Sequence, residues 1–373
     1  MSTQSQPTLA PRPGFWSSVG IVARREIVVR FLSKSFIIGT AVTLLIMLGL
    51  MVFLPRMDSL FADEEGMPVA ATAEYVATLE ATGTYEVTEV PDVDAAKRAV
   101  KAEEVEAAVV PAALGDGARV LALTDVPENL VALLSTQPEV LLLDPFAPNP
   151  AITYLIAVGF GIVWMMSAVT FGMSIANSVV EEKQTRIVEI LLATVSSRAL
   201  LTGKIIGNSI AALTQILLIV GVAFLGMAIN GDALPTANLT WPIVWFVVLF
   251  LVGFVMIAAL YAAAAALVSR TEDLANVQQP IMWLVMLPYL AVIMLNGNDT
   301  ALTVMSYIPF SAPVAIPMRV FTEQIAVWEP FLSLAILVAT TTLITMLAAR
   351  IYRNGLLRTG KPLKWREGLM QEA

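Results

Sequence analysis

The sequence predicts an α-helical polytopic membrane protein of six transmembrane helices, with a small extracytoplasmic α/β domain inserted between spans one and two. Three observations predict it. The chain of 373 residues is 57% hydrophobic and 14% charged, whereas soluble domains carry about 25% charged residues. Six apolar runs suit a hydrocarbon core about 30 Å thick, which takes roughly 20 helical residues. Residues 55–150 hold 18 Asp and Glu against 5 Lys and Arg, so the acidity of the chain belongs to one segment. Cys and His are absent, which excludes disulfides, thiol chemistry and Cys/His metal sites.

Taken in order, residues 1–15 are polar and Pro-containing and are expected to form a disordered cytoplasmic tail. In 16–35, Val19, Ala23, Ile27 and Phe31 recur four apart, with Arg24, Arg25, Arg30 and Lys34 elsewhere. That pattern predicts an amphipathic helix in the membrane interface, its basic residues near lipid phosphates; a plain extension of the first span is the alternative. The spans are expected at Phe36–Leu54, Ala151–Ala176, Leu200–Ala228, Trp241–Val268, Ile281–Leu295 and Phe331–Arg350, the fifth being short. The first is read as a retained anchor, because no small-residue cleavage site follows its apolar core. Basic residues cluster before span one, around the junction of spans two and three, and from Arg350 onward, whereas the loop between spans three and four has none. Both termini are therefore placed in the cytoplasm, and 351–373 is expected as a basic cytoplasmic tail.

In the acidic segment, "YEVTEV" at 85–90 alternates as a strand does. "DVDAAKRAVKAEEVE" reads as a helix capped by Asp92 or Asp94, "AAVVP" and "RVLALTDV" as strands, and "PENLVALLSTQPEVLL" as a closing helix. The acidic clusters Asp63–Glu65 and Glu103–Glu106 read as a solvated face; lacking calcium-loop spacing, they make weak cation sites.

Charge returns at 179–197, "VVEEKQTRIVEILLATVSS", with Arg198 following. About 20 residues between two spans are too many for a tight turn. A single cytoplasmic helix is predicted, with Ile187, Ile190 and Leu191 on one face and an i,i+4 pair between Glu182 and Arg186. It serves either as a solvated hairpin or as a docking surface. In span two, Ser167, Thr170, Ser174 and Asn177 fall 3, 4 and 3 apart. They form one polar face that lines a pathway or packs against another helix. Asn208, Thr214 and Gln215 in span three admit the same two readings. Pro280 and Pro288 kink span five, or Pro280 starts it. Pro309, Pro313 and Pro317 shape the segment before span six, where Arg319 and Glu323 are expected to pair at the surface. The spacing Gly355-x4-Gly360-Lys361 imitates a phosphate-binding loop, but Pro362 stands where Ser or Thr must meet magnesium. No nucleotide site is expected in this chain, and no mid-span Asp, Glu or Lys suggests a proton-coupled carrier.

The stretch "EEKQTRIVEILLATVSSRALLTGKIIG" resembles the signature of type-2 permease subunits of ATP-binding-cassette (ABC) exporters, in particular the NatB-like sodium-efflux branch. Glu181, Glu182, Lys183, Arg186, Glu189, Leu191, Leu192, Val195, Ser196, Gly203 and Lys204 fall in its register, and Ser197 stands where Pro is common. "REIVVRFLSKSF" at 25–36, "YIPFSAPVAIPMRV" at 307–320 and "RIYRNGLLRTGKP" at 350–362 are similar to further segments of that family. The resemblance implies a multi-pass protein of the bacterial plasma membrane, working as a dimer of permease chains amid membrane lipids. It further implies that the charged segment, through Glu181, Glu182, Lys183, Arg186, Glu189, Leu191 and Leu192, couples to a cytoplasmic ATPase subunit that holds ATP and Mg. On this reading the chain has no catalytic, cofactor or metal residues of its own and no nucleic-acid partner. Sodium is the implied cargo, with drugs, lipids or peptides as alternatives; a membrane sensor or scaffold, and less readily a membrane enzyme, stay open beside it.

Overall fold

The long apolar runs become the long helices of a computed structural model. It describes residues 14–57, 67–102, 104–112, 117–123, 128–134, 139–142, 150–230, 239–323, 325–356, 358 and 365–370. Most of the expected 1–15 tail and the cluster Asp63–Glu65 lie outside them. The chain divides into two compact units, one of residues 53–153 and one of the remainder.

The smaller unit is built on a five-stranded sheet of order β2-β1-β3-β4-β5, with β1 Met67–Ala71, β2 Tyr85–Glu89, β3 Ala107–Pro111, β4 Ala118–Ala122 and β5 Glu139–Leu142. β1 lies between β2 and β3 and runs parallel to both; β4 runs antiparallel to β3 and parallel to β5. From β1 the chain crosses one way to β2 through α3 (Ala73–Glu80) and returns past β1 to β3 through α4 (Val93–Lys101). Crossovers of one hand in opposite directions put their helices on opposite faces of the sheet. Accordingly, Leu79 of α3 and Leu130 of α5 (Glu128–Leu133) pack with Val69, Val109 and Val120. Ala96 and Val100 of α4 pack with Ala70, Ala108 and Leu121. Asp92 caps α4 by accepting from the Ala95 N–H at 2.6 Å.

The closing helix expected over 127–142 is only half present. α5 ends at Leu133, and Glu139–Leu142 pairs instead with β4. Pro138 explains the change, since it has no N–H for a helix and disfavours helical geometry in the residue before it.

In the larger unit the long helices are α6 (Pro150–Gln184), α8 (Ser197–Asn230), α9 (Thr240–Ala266), α10 (Leu274–Met294) and α13 (Glu329–Leu356). Five segments of the described residues are long and apolar enough to cross a membrane: 153–184, 197–226, 240–266, 271–294 and 329–356. A sixth comes from α1 (Phe15–Phe31) and α2 (Lys34–Met57) if that pair, bent by 61°, is one span. Span two runs eight residues past its expected end at Ala176, and span five begins ahead of Pro280, so both of its prolines lie inside α10. The expected basic tail packs back on the bundle: α14 (Trp365–Met370) follows α13, and Asn354 Nδ2 donates to the Gly368 carbonyl at 2.9 Å.

α9 is the central post. It is apolar all round, and its second half is buried on nearly every side, with Ala258, Ala259 and Ala262–Ala266 fully buried. In lipid, helices associate through close packing rather than through a hydrophobic drive, and small side chains permit the approach. At the other level of α9, Phe246, Phe250 and Phe254 repeat every four residues and carry a ladder of rings that takes in Phe160, Trp164 and Phe171 of α6. Phe36 of α2 extends it from Phe171.

Arg319 departs from its expected surface site. It lies buried on α12 (Ala312–Phe321) and donates to Glu329 at 2.7 Å, and Tyr307 donates to the same carboxylate oxygen at 3.0 Å. Glu323, its expected partner, takes a left-handed backbone with φ of 57° just after the helix ends.

Ala263→Leu forces a branched side chain into the fully packed post, at a cost of about 1–3 kcal/mol. Thermal unfolding of the purified protein will show a clear fall in midpoint for it, and little change for Leu251→Ala on the exposed side of the same helix.

Candidate functional site

The expected single helix over 179–197 is divided. Residues 179–184 are the last turns of α6, and α7 is the separate two-turn helix Ile187–Thr194. Between them Arg186 adopts φ of 55° and ψ of 12°, a left-handed conformation that costs a residue with a Cβ about 1–2 kcal/mol. Glu182 and Arg186 therefore share no helix. After Val195 in extended form, Ser196 accepts from the Ala199 N–H at 3.2 Å and so caps α8. Ser197 is the first residue of α8, the position at which Pro is tolerated because its N–H is unneeded. The departure from the permease pattern at that residue thus leaves the turn intact.

The charged residues divide with the backbone. Glu181, Arg186 and Glu189 are exposed, whereas Glu182 and Lys183 are only 3% and 4% exposed. Glu182 Oε1 accepts from Arg25 of α1 at 2.8 Å and from Lys204 of α8 at 2.9 Å. The fully buried Lys204 ammonium also donates to Glu26 of α1 at 3.0 Å and to Ser178 Oγ at 2.6 Å, so its three N–H bonds are all used. Two cations and two carboxylates from three helices thereby neutralise one another, Lys204 and Glu182 out of water and Arg25 half exposed at the edge, the condition under which buried charge is tolerated.

Gly203 and Gly207 make this possible. A Cβ at either would come within 2.6 or 2.7 Å of a Cβ of α1, belonging to Val22 and Glu26 respectively. Glycine at both positions lets α1 lie along α8 as in small-x3-small pairs. α1 is thus a packed helix of the bundle, and Arg25 and Arg30 reach α6, where they donate to Glu182 and Ser174.

Lys183 reaches a different set of helices. Its Nζ donates to the carbonyl of Ala266, the last residue of α9, at 2.8 Å and to that of Gly355, in the last turn of α13, at 3.0 Å. Terminal carbonyls of a helix have no partner within it and carry the negative end of its dipole, so one ammonium serves both ends. A Cβ on Gly355 would meet the Ala266 oxygen at 2.6 Å. The first glycine of the imitation phosphate loop is therefore a packing residue.

On α7, Leu191 and Leu192 turn partly inward against the core, and Val188 is buried. Ile190, 72% exposed, and Ile187 face outward beside Glu189. Of the four polar residues of span two, Thr170, Ser174 and Asn177 line a cavity of about 510 Å³ that also takes in Arg25, Arg30 and Glu182. Ser167 is buried away from it, and its hydroxyl has no hydrogen-bond partner among the described residues. In span three, Asn208 Nδ2 and the Thr214 hydroxyl bond the carbonyls of Lys204 and Ile210, one turn back in their own helix.

Residues 121–350, well over half of the chain, match the family described as ABC-2 family transporter protein. The chain belongs to this family. It is accordingly a multi-pass membrane protein, of the kind that forms the membrane component of an ABC transporter. The matched residues of this ABC-2 protein include all of α6 to α12, among them the short α11 (Asp299–Ser306), and hence Glu182, Lys183 and Lys204, but not Arg25 and Glu26. The chain is 29% identical over 218 residues to "Uncharacterized protein YhaP" of Bacillus subtilis (strain 168), covering 54% of this chain and 52% of that one. It is 28% identical over 214 residues to "Uncharacterized protein MJ1024" of Methanocaldococcus jannaschii, covering 57% and 52%. It thus spans about half the length of these curated relatives. No solved structure matches the chain.

Sequence reasoning missed the α1–α8 contact and the inward direction of Glu182 and Lys183. Its signal lay in "GKIIG" at 203–207, where two glycines flank the charge to be buried.

Removing one member of a buried ion pair strands the other, at a cost of about 3–5 kcal/mol. Lys204→Met will lower the unfolding midpoint of the purified protein steeply, and much less when made in a Glu182→Gln background. Additive losses would show that the two residues do not interact.

Proposed function

We propose that this ABC-2 chain is the permease subunit of an ABC exporter, driven by a separate cytoplasmic ATPase that carries the ATP and Mg, and acting as a dimer of permease chains. The observation that carries the reading is the two-turn helix α7. It offers Ile187, Ile190 and Glu189 outward while Lys183, four residues before the helix begins, grips the ends of α9 and α13. Force applied to α7 would pass along two routes: through Lys183 to the α9 and α13 ends, and through Glu182 to α1 and α8. Rigid elements joined by hydrogen bonds suit such transmission better than a solvated loop does.

The resemblance to the NatB-like branch makes sodium the first cargo to test, moved outward across a plasma membrane with both chain termini inside. Basic residues concentrate on the side assigned to the cytoplasm, in keeping with that orientation. Flux is to be measured in vesicles holding the permease and the ATPase. ATP-dependent sodium movement supports the whole reading. Movement of hydrophobic dyes alone keeps the exporter and replaces the cargo, and absence of both flux and ATPase association favours a sensor.

Because Glu182 and Lys183 are structural, the docking test belongs on exposed residues. Ile190→Asp together with Glu189→Ala is expected to reduce ATPase co-purification at least about ten-fold, equivalent to ~1.4 kcal/mol, with the unfolding midpoint of the permease unchanged. Undiminished co-purification would remove α7 from the interface.

A further inference from the structure

The cavity at the bend between α1 and α2 contains charges that the protein itself leaves incomplete. Arg30 donates from its two terminal nitrogens to Ser174 Oγ at 2.6 Å and to the Thr170 carbonyl at 3.3 Å, both neutral acceptors. Its guanidinium lies 4.7 Å from the ring centre of Phe171 and 5.4 Å from that of Phe36, and its buried Nε has no partner. No carboxylate among the described residues bonds it. Glu182 shows the reverse. Oε1 takes both Arg25 and Lys204, while the buried Oε2 has no hydrogen-bond partner, with the exposed Glu181 beside it on the cavity wall. A partly desolvated cation on which the Glu26 carboxylate acts only at a distance, without a hydrogen bond, and a buried carboxylate oxygen without a donor, are each costly. Here they line the same cavity.

We propose that this cavity holds the headgroup of a zwitterionic, amine-bearing phospholipid, its phosphate on Arg30 and its ammonium on Glu182 and Glu181. A bare anion would meet the carboxylates of Glu26, Glu181 and Glu182 in the same wall, and a bare cation would meet Arg25 and Arg30. A headgroup with both charges satisfies each end. The surroundings select a lipid over a soluble phosphoethanolamine. Val29 lines the cavity and is exposed, and Leu32, Ile37 and Ile38 present further large apolar side chains around the bend, an environment suited to acyl chains. Arginine supplies the flat, multi-donor face that phosphate recognition uses, and basic pockets between membrane helices take lipid headgroups by this chemistry. The proposal does not rest on the exporter reading, because it concerns what the resting permease binds whatever the cargo.

The test uses the full chain, purified in detergent, stripped of lipid and offered dioleoyl phosphatidylethanolamine, dioleoyl phosphatidylglycerol or soluble phosphoethanolamine. Bound lipid is counted by native mass spectrometry. Wild-type protein is expected to retain the ethanolamine lipid at least about five-fold better than the glycerol lipid, and not to bind the soluble headgroup. Arg30→Gln, which keeps donors for Ser174 but removes the charge, is expected to lose most of that retention. Arg30→Lys is expected to keep part of it, and the exposed Arg353→Gln all of it. Equal retention of the two lipids by wild-type protein overturns the amine assignment without recourse to any variant. Equal binding of soluble phosphoethanolamine overturns the lipid assignment, and unchanged retention in a folded Arg30→Gln protein overturns the site.

Discussion

Glu182 and Lys183 are adjacent in the chain and reach opposite sets of helices. Through the carboxylate, α6 is held to α1 and α8 by Arg25 and Lys204; through the ammonium it is held to the ends of α9 and α13. Five helices thus meet at two consecutive side chains. Aromatic and alanine packing holds the bundle together along its length, but such contacts tolerate sliding. Charge-assisted hydrogen bonds are directional and fix which turn of each helix lies beside which.

Fixing the register in this way has a cost that shapes the neighbouring sequence. An ammonium as deeply buried as that of Lys204 requires three acceptors, and one of them, Glu26, belongs to a helix that must come close to α8. The glycines at 203 and 207 are the geometric condition for that approach. The glycine at 355 serves the second anchor in the same way, by letting two helix ends share one cation.

Much of this was legible in the sequence, for identifiable reasons. Long apolar runs can only be helices in lipid, so the spans stand out, although their ends do not. Polar residues such as Ser178 and Glu182 continue α6 past its apolar part because their partners lie on other helices, 26 and 22 residues away at Lys204. Alternation located β2, and short apolar runs located β3 and β4. β5 was hidden by a helix-like pattern that ran through Pro138. The permease signature located the charged segment but could not say which of its charges faced inward. That depended on acceptors at Ala266 and Gly355, 83 and 172 residues distant, and carbonyl groups leave no mark in a sequence. For the same reason Ser167 shared a spacing with Thr170, Ser174 and Asn177 without sharing their cavity.

The docking of α1 on α8 also bears on the order in which the protein can be made. Glu26 and Lys204 are 178 residues apart, so at roughly 5–20 residues per second the ribosome needs on the order of 10–35 s to supply the second after the first. Throughout that interval α1 has no α8 to lie against, and Arg25 and Glu26 must keep their water. The mixed surface of α1 is what allows this: a helix with Arg24 and Arg25 among exposed Ile21, Val28 and Val29 can rest at the membrane surface until the groove made by Gly203 and Gly207 arrives.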